Sequence, residues 1–145
     1  MQKLFGLLSI LQIMISIIFG IIAIAINSVL LSLFYLFLTL IAIILIVYSF
    51  CTKCACKDKG CSHVFPALLA KLLPKRKIEK YTFWDYLGVA IGFLTIILFP
   101  QYWLYKNIYL MILFWILNLT AFVEIILFVC SNCSNFNCPM NKNQT

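Results

Sequence analysis

Apolar residues run without a charge from Leu4 to Phe50. One helix of that length would reach about 70 Å, over twice the ~30 Å hydrocarbon core of a bilayer. The run must therefore fold back on itself. Its one polar break is Asn27-Ser28, which predicts spans near Leu4–Ile26 and Val29–Phe50. A third span is predicted over Phe83–Phe99, stopped by Pro100 because proline removes a backbone donor. A fourth is predicted over Ile108–Val129.

Small and polar residues recur within these spans at helical spacing. Ser9, Gln12, Ser16 and Gly20 mark the first. Ser28, Ser32, Tyr35, Thr39 and Ala42 mark the second, and Asp85, Gly88, Gly92 and Thr95 the third. Lipid gives apolar side chains no reason to associate, so such stripes are where membrane helices pack closely. The expected fold is all-α and integral to the membrane. It is a four-transmembrane-helix bundle of two helical hairpins, with a short cytoplasmic interfacial helix between them.

Composition agrees with that class. The chain is 65% hydrophobic and 10% charged, beyond what a water-soluble core of 145 residues absorbs. The net charge of +7 lies beside the spans rather than on an aromatic, basic nucleic-acid surface, so no nucleic-acid partner is expected. With Met1 inside, all of the 11 Lys and Arg except Lys106 fall on the inner face. That asymmetry predicts a multi-pass cell-membrane protein with both termini cytoplasmic. Tyr102-Trp103-Leu104-Tyr105 then forms an interfacial aromatic belt on the outer side. Ala23-Ile24-Ala25 resembles a signal-peptide cleavage site, but the apolar stretch exceeds an ordinary h-region, so the first span is expected to stay.

The expected divisions are a first hairpin over 1–50, a cysteine-rich loop over 51–81, a second hairpin over 82–129 and a tail over 130–145. In the loop, Ser62 is placed to cap a short helix with Pro66 in its first turn and Pro74 at its end. The basic run Lys75-Arg76-Lys77-Ile78-Glu79-Lys80 follows, suited to anionic headgroups. Each half of the chain reads span, short turn, span, then C-x2-C, as a duplicated hairpin would.

The chemistry is concentrated in the 7 cysteines. Cys51, Cys54, Cys56 and Cys61, with His63, follow the second span; Cys130, Cys133 and Cys138 follow the fourth. Cytoplasmic thiols stay reduced, and an odd number cannot pair fully within one chain. Thiolates two residues apart point at one centre and prefer zinc, Cu(I) or iron–sulfur. Neither cluster completes a tetrahedral site alone, so the two are expected to converge around zinc or an iron–sulfur cluster. His63 is the candidate eighth ligand, and palmitoylation is the competing fate of cysteines at a membrane edge.

Several partial resemblances exist. Cys138-Pro139 resembles the close of a bacterial ferredoxin motif, whose other cysteines have no counterpart here. Cys51-x2-Cys54-x6-Cys61 resembles half of a fungal binuclear zinc cluster; the second cysteine cluster departs from it at Cys138. In size and helix count the chain is similar to the four-helix disulfide-generating and vitamin-K-reducing membrane enzymes. That resemblance implies thiol–quinone oxidoreduction, although those enzymes carry their cysteines on the oxidising side. It is also similar in size to small mercuric transporters, which implies soft-metal transport, although those place a cysteine pair within a span.

Two carboxyls complete the inventory. Glu124 lies about 9 Å inside the cysteine end of the fourth span. Asp85 lies near the start of the third. An ionisable group inside a membrane is a functional candidate, so both are candidate proton or cation sites. Thr120 shares a face with Glu124 and is its expected hydrogen-bond partner; Lys80 is the expected partner of Asp85. No nucleotide-binding loop, zinc-protease helix or serine-triad pattern appears, and no catalytic residue is assigned. A larger membrane complex or a homo-oligomer remains an expected setting.

Overall fold

The structure, a computed structural model, describes residues 2–54, 64–74, 76 and 81–130. Those residues form helices joined by short turns, with no strand among them. Helix α1 spans Gln2–Ala25, α2 Val29–Phe50, α3 Val64–Leu72, α4 Phe83–Leu98, α5 Gln101–Leu104 and α6 Ile108–Glu124. A 3-10 turn over Cys51–Lys53 extends α2, and a π-helical segment over Ile125–Cys130 extends α6. With these extensions, Lys3–Ala25, Val29–Lys53, Phe83–Leu104 and Ile108–Cys130 are 4 stretches long and apolar enough to cross a membrane.

The break at Asn27-Ser28 works through both side chains. The Asn27 amide donates to the Ala23 carbonyl at 3.2 Å and closes α1, while the Ser28 hydroxyl accepts from the Leu31 N–H at 3.4 Å and opens α2. Each satisfies a terminal backbone group that has no partner within its helix. Asn107 opens α6 in the same way, accepting from the Leu110 N–H at 3.4 Å.

Pro100 does not stop the third span. Its missing N–H leaves the Ile96 carbonyl without the donor that a continuous helix supplies. The Tyr35 hydroxyl, reaching from α2, donates to that carbonyl at 2.9 Å. The Gln101 side-chain amide donates to the Ile97 carbonyl at 2.8 Å. With both oxygens satisfied, the chain passes through a turn at Phe99 and Pro100 and resumes as α5, which places Tyr102 to Leu104 on a helix rather than in a loop.

The helices pair across the two hairpins. α4 packs mainly on α2, α6 packs mainly on α1, and α1 packs on α2. The second hairpin's own helices have no comparable contact along their length. They come together at the Pro100–Asn107 end, where Ala23, Leu104 and Phe114 form a core with Ile97, Leu110 and Met111 against it. The α2–α4 approach is set by Gly88 and Gly92. A Cβ on Gly92 would stand 2.6 Å from Ile46 Cγ1 and 3.1 Å from the Ala42 carbonyl oxygen; one on Gly88 would collide with Ser49 Oγ. Ser9, Ser16, Ser32, Tyr35 and Thr39 are buried between helices, while many Leu, Ile and Phe side chains face outward. Small and polar inside with apolar outside is the arrangement that packing in lipid favours. The third stripe is completed by buried Ile96, with Thr95 turned to donate to its own helix at the Ile91 carbonyl.

The α1 start, the α2 end, the α4 start and the α6 end share one end of the bundle. Phe5 stacks on Phe128 there with ring centroids 4.5 Å apart, and Lys53 meets Asp85. Asn27 accepts from the Lys106 ammonium at 3.1 Å at the opposite end.

Candidate functional site

Cys51 takes the position just after α2, and the tight turn that follows carries the chain to Cys54, whose N–H donates to the Cys51 carbonyl at 3.2 Å. Both residues between the cysteines are anchored. The Thr52 hydroxyl donates to the Tyr48 carbonyl at 2.6 Å, and Thr52 is fully buried. Lys53 is 6% exposed and turns its ammonium inward, 2.6 Å from Asp85 Oδ2. The half-buried Cys51 and Cys54 therefore sit on a turn whose other side chains are committed to the bundle.

Asp85 is the hub of this end. Its Oδ2 accepts from Lys53 and from the Thr82 N–H and hydroxyl, each Thr82 bond 2.8 Å long. Its Oδ1 accepts from the Arg76 guanidinium at 2.7 Å. Arg76 also lies over the Tyr48 ring, 5.0 Å from its centroid. The Thr82 N–H bond is one half of a capping box that opens α4. Asp85 thus ties the cysteine turn, the basic stretch and the third span to one carboxylate that is 1% exposed. Its expected partner Lys80 lies outside the described residues. With its oxygens engaged by two cations and a cap, Asp85 acts as a structural clasp.

Cys130 ends the π-helical segment on α6 and is half-buried. The two C-x2-C entries therefore differ locally, one on a tight 3-10 turn and the other at the close of a wide π segment. Cys51, Cys54 and Cys130 share one end of the bundle. Cys56, Cys61, His63, Cys133 and Cys138 lie outside the described residues, as do Ser62, Lys75, Lys77, Glu79 and Lys80. Among the described residues, no group of three or more His, Cys, Asp or Glu stands close enough to hold a metal ion.

Glu124 lies on the face of α6 that meets α1. Its partner is Gln12, whose amide donates to Glu124 Oε1 at 3.1 Å. Thr120, the expected partner, donates instead to Gln12 Oε1 at 3.2 Å and back to the Ile116 carbonyl at 2.8 Å. One turn away, the Ser16 hydroxyl and Asn118 Oδ1 stand 3.4 Å apart. The α1–α6 contact therefore carries a ladder of polar groups, with Glu124 its only carboxyl. Glu124 Oε2 is buried and meets no donor among the described residues. Asp85 and Glu124, although both near the cysteine end, belong to different helix pairs and have different partners. Asn118, which meets Ser16 across this contact, is not among the sequence candidates; a lone amide inside an apolar span is the one signal that points to it.

Comparisons with protein-family models, with curated proteins and with solved structures found no match.

Proposed function

We propose that the chain is a multi-pass membrane protein whose cysteine end, on the cytoplasmic side, carries a cysteine-ligated metal centre. The centre is a structural zinc or an iron–sulfur electron-transfer site. One observation carries this reading: α2 and α6 each end at a cysteine at the same end of the bundle, and the first C-x2-C stands on a turn anchored at both intervening residues. A rigid turn lowers the cost of ordering ligands around an ion, and closing loops around a metal couples binding to folding.

The surroundings support a cytoplasmic membrane edge. On α3, Phe65, Leu68 and Leu72 are exposed on one face while Ala70 is buried against the bundle. An apolar face of that kind, followed by a basic stretch, suits a helix lying in the headgroup layer beside anionic lipid.

Elemental analysis of anaerobically purified protein tests the proposal. Colourless protein with stoichiometric zinc supports the structural site; brown protein with iron and acid-labile sulfide supports the electron-transfer site. Replacing Cys51 and Cys54 together by Ser lowers the metal content in either case. Metal-free protein with a reducible disulfide overturns the proposal in favour of a thiol–quinone oxidoreductase. Metal retained in full after both replacements overturns a shared centre.

A further inference from the structure

Lys53 and Arg76 bring two cations to one carboxylate, Asp85. Among the described residues no second carboxylate pairs with either cation, so the cluster keeps a positive charge uncompensated. A net charge at the border of an apolar core is costly unless an opposite charge meets it. Lys53 cannot receive one, because it is 6% exposed and its ammonium is committed to Asp85 Oδ2. Arg76 can. Its side chain is 28% exposed and reaches Asp85 Oδ1 through Nη1. Among the described residues, its Nε and Nη2 hydrogens have no acceptor. A guanidinium presents its donors as a planar fork that fits phosphate oxygens two at a time.

The fork is held on two sides. Asp85 fixes one edge at 2.7 Å, and the Tyr48 ring lies against its face, with the guanidinium carbon 5.0 Å from the ring centroid. Tyr48 is itself on the outer surface of α2, near the cysteine end. It heads a row of exposed side chains, Phe37, Ile41, Ile44 and Tyr48, whose helical spacing keeps them on one face. That row leads from the guanidinium toward the middle of the span, the course an acyl chain takes beside a membrane helix. Arg76 thus stands at the head of an apolar track, where a long cationic side chain reaches the level of lipid phosphates.

We propose that Arg76 binds the phosphate of one anionic phospholipid, whose acyl chain lies along Ile44 and Ile41. The phosphate supplies the charge that the Lys53–Asp85–Arg76 cluster lacks and accepts from Nε and Nη2. A zwitterionic lipid brings the same phosphate with a cation attached, which restores the excess, so the site favours a lipid of net negative charge. Diffuse attraction of a basic stretch to headgroups holds no fixed lipid; this site holds one. The inference rests on the cysteine end lying at a membrane edge and does not depend on the metal centre.

The test uses the purified full-length protein in neutral detergent, with phosphatidylglycerol and phosphatidylcholine of identical acyl chains, and counts retained lipids by native mass spectrometry. One phosphatidylglycerol per chain is expected, favoured over phosphatidylcholine by at least about fivefold. Arg76→Gln removes the charge and leaves Asp85 with Lys53 and Thr82; it is expected to abolish the preference. Tyr48→Leu keeps every charge but withdraws the ring beside the guanidinium, and is expected to weaken retention by at least about twofold, which keeps the test decisive if the Gln variant misfolds. Lys71→Gln removes an exposed charge from α3 and is expected to change nothing. Unchanged preference in folded Arg76→Gln, or unchanged retention in folded Tyr48→Leu, overturns the proposal. A loss in Lys71→Gln equal to that in Arg76→Gln overturns it in favour of diffuse attraction, and displacement of the lipid by inorganic phosphate at the same concentration overturns the lipid as the source of the phosphate. Equal retention of the two lipids by the wild type overturns the site alone; retention of neither overturns the membrane-edge reading with it.

Discussion

The Tyr35 hydroxyl donates to the Ile96 carbonyl at 2.9 Å, standing in for the backbone N–H that Pro100 lacks. Tyr35 is fully buried, so water cannot take its place. Tyr35→Phe should leave that carbonyl unsatisfied and cost about 1–3 kcal/mol. Pro100→Ala restores an N–H at the position that needs one, so the double variant should recover part of the loss. Thermal unfolding of the four proteins in one detergent forms the cycle. Additive losses would show that the hydroxyl and the proline act independently.

At the cysteine end the same logic applies to charge. Asp85→Ala orphans both Lys53 and Arg76, and should cost about 3–5 kcal/mol, the usual result of stripping one partner from a buried ion pair. Removing either cation alone should cost less, because the carboxylate keeps the other cation and both Thr82 donors. Melting temperatures of D85A, K53A and R76A give the order. A smaller loss in D85A than in K53A would contradict the hub assignment.

Gly92→Ala should destabilise more than Gly88→Ala. The added methyl at Gly92 meets Ile46 and the Ala42 carbonyl, and backbone cannot move aside cheaply. Overpacking of this kind costs about 1–3 kcal/mol. At Gly88 the first obstacle is the Ser49 hydroxyl, which can rotate. Ser49→Ala should therefore rescue Gly88→Ala and leave Gly92→Ala unchanged, read as a coupling energy by unfolding in detergent.

Much of this architecture is legible in the chain and some is not, for physical reasons. Span limits follow from local polarity and capping, so Asn27-Ser28 and Asn107 mark real helix ends. The small-polar stripes show which face of each helix packs. They cannot name the partner helix, because Gly88 and Gly92 make room for any close neighbour; that α4 meets α2, and α6 meets α1, emerges only in three dimensions. Pro100 reads as a stop because its remedy, Tyr35, lies on another helix. Asp85 and Glu124 are conspicuous as carboxyls, yet their partners Lys53 and Gln12 are far away in sequence. The cysteine clusters are legible as a pattern; the structure places Cys51, Cys54 and Cys130 at one end, and the other candidate residues, Cys56, Cys61, His63, Cys133 and Cys138, lie outside the described residues.

The Lys53–Asp85 bond also makes a prediction about the proposed metal centre. Lys53 occupies an intervening position of the Cys51–Cys54 pair, so its anchor fixes the turn that presents both sulfurs. Arg76 holds the same carboxylate but lies outside that turn. Lys53→Met keeps most of the side chain's bulk and leaves Asp85 paired with Arg76 and Thr82, so the fold should persist with a loosened cysteine turn. Metal affinity should then fall by about 10–100-fold, the range typical of losing a group that orients a ligand. Arg76→Met should lower stability to a similar degree and leave metal affinity near that of the wild type. Competition with a calibrated chelator, alongside melting curves, separates the two variants. Equal loss of affinity in both would mean that Lys53 acts through general stability and does not position the cysteines.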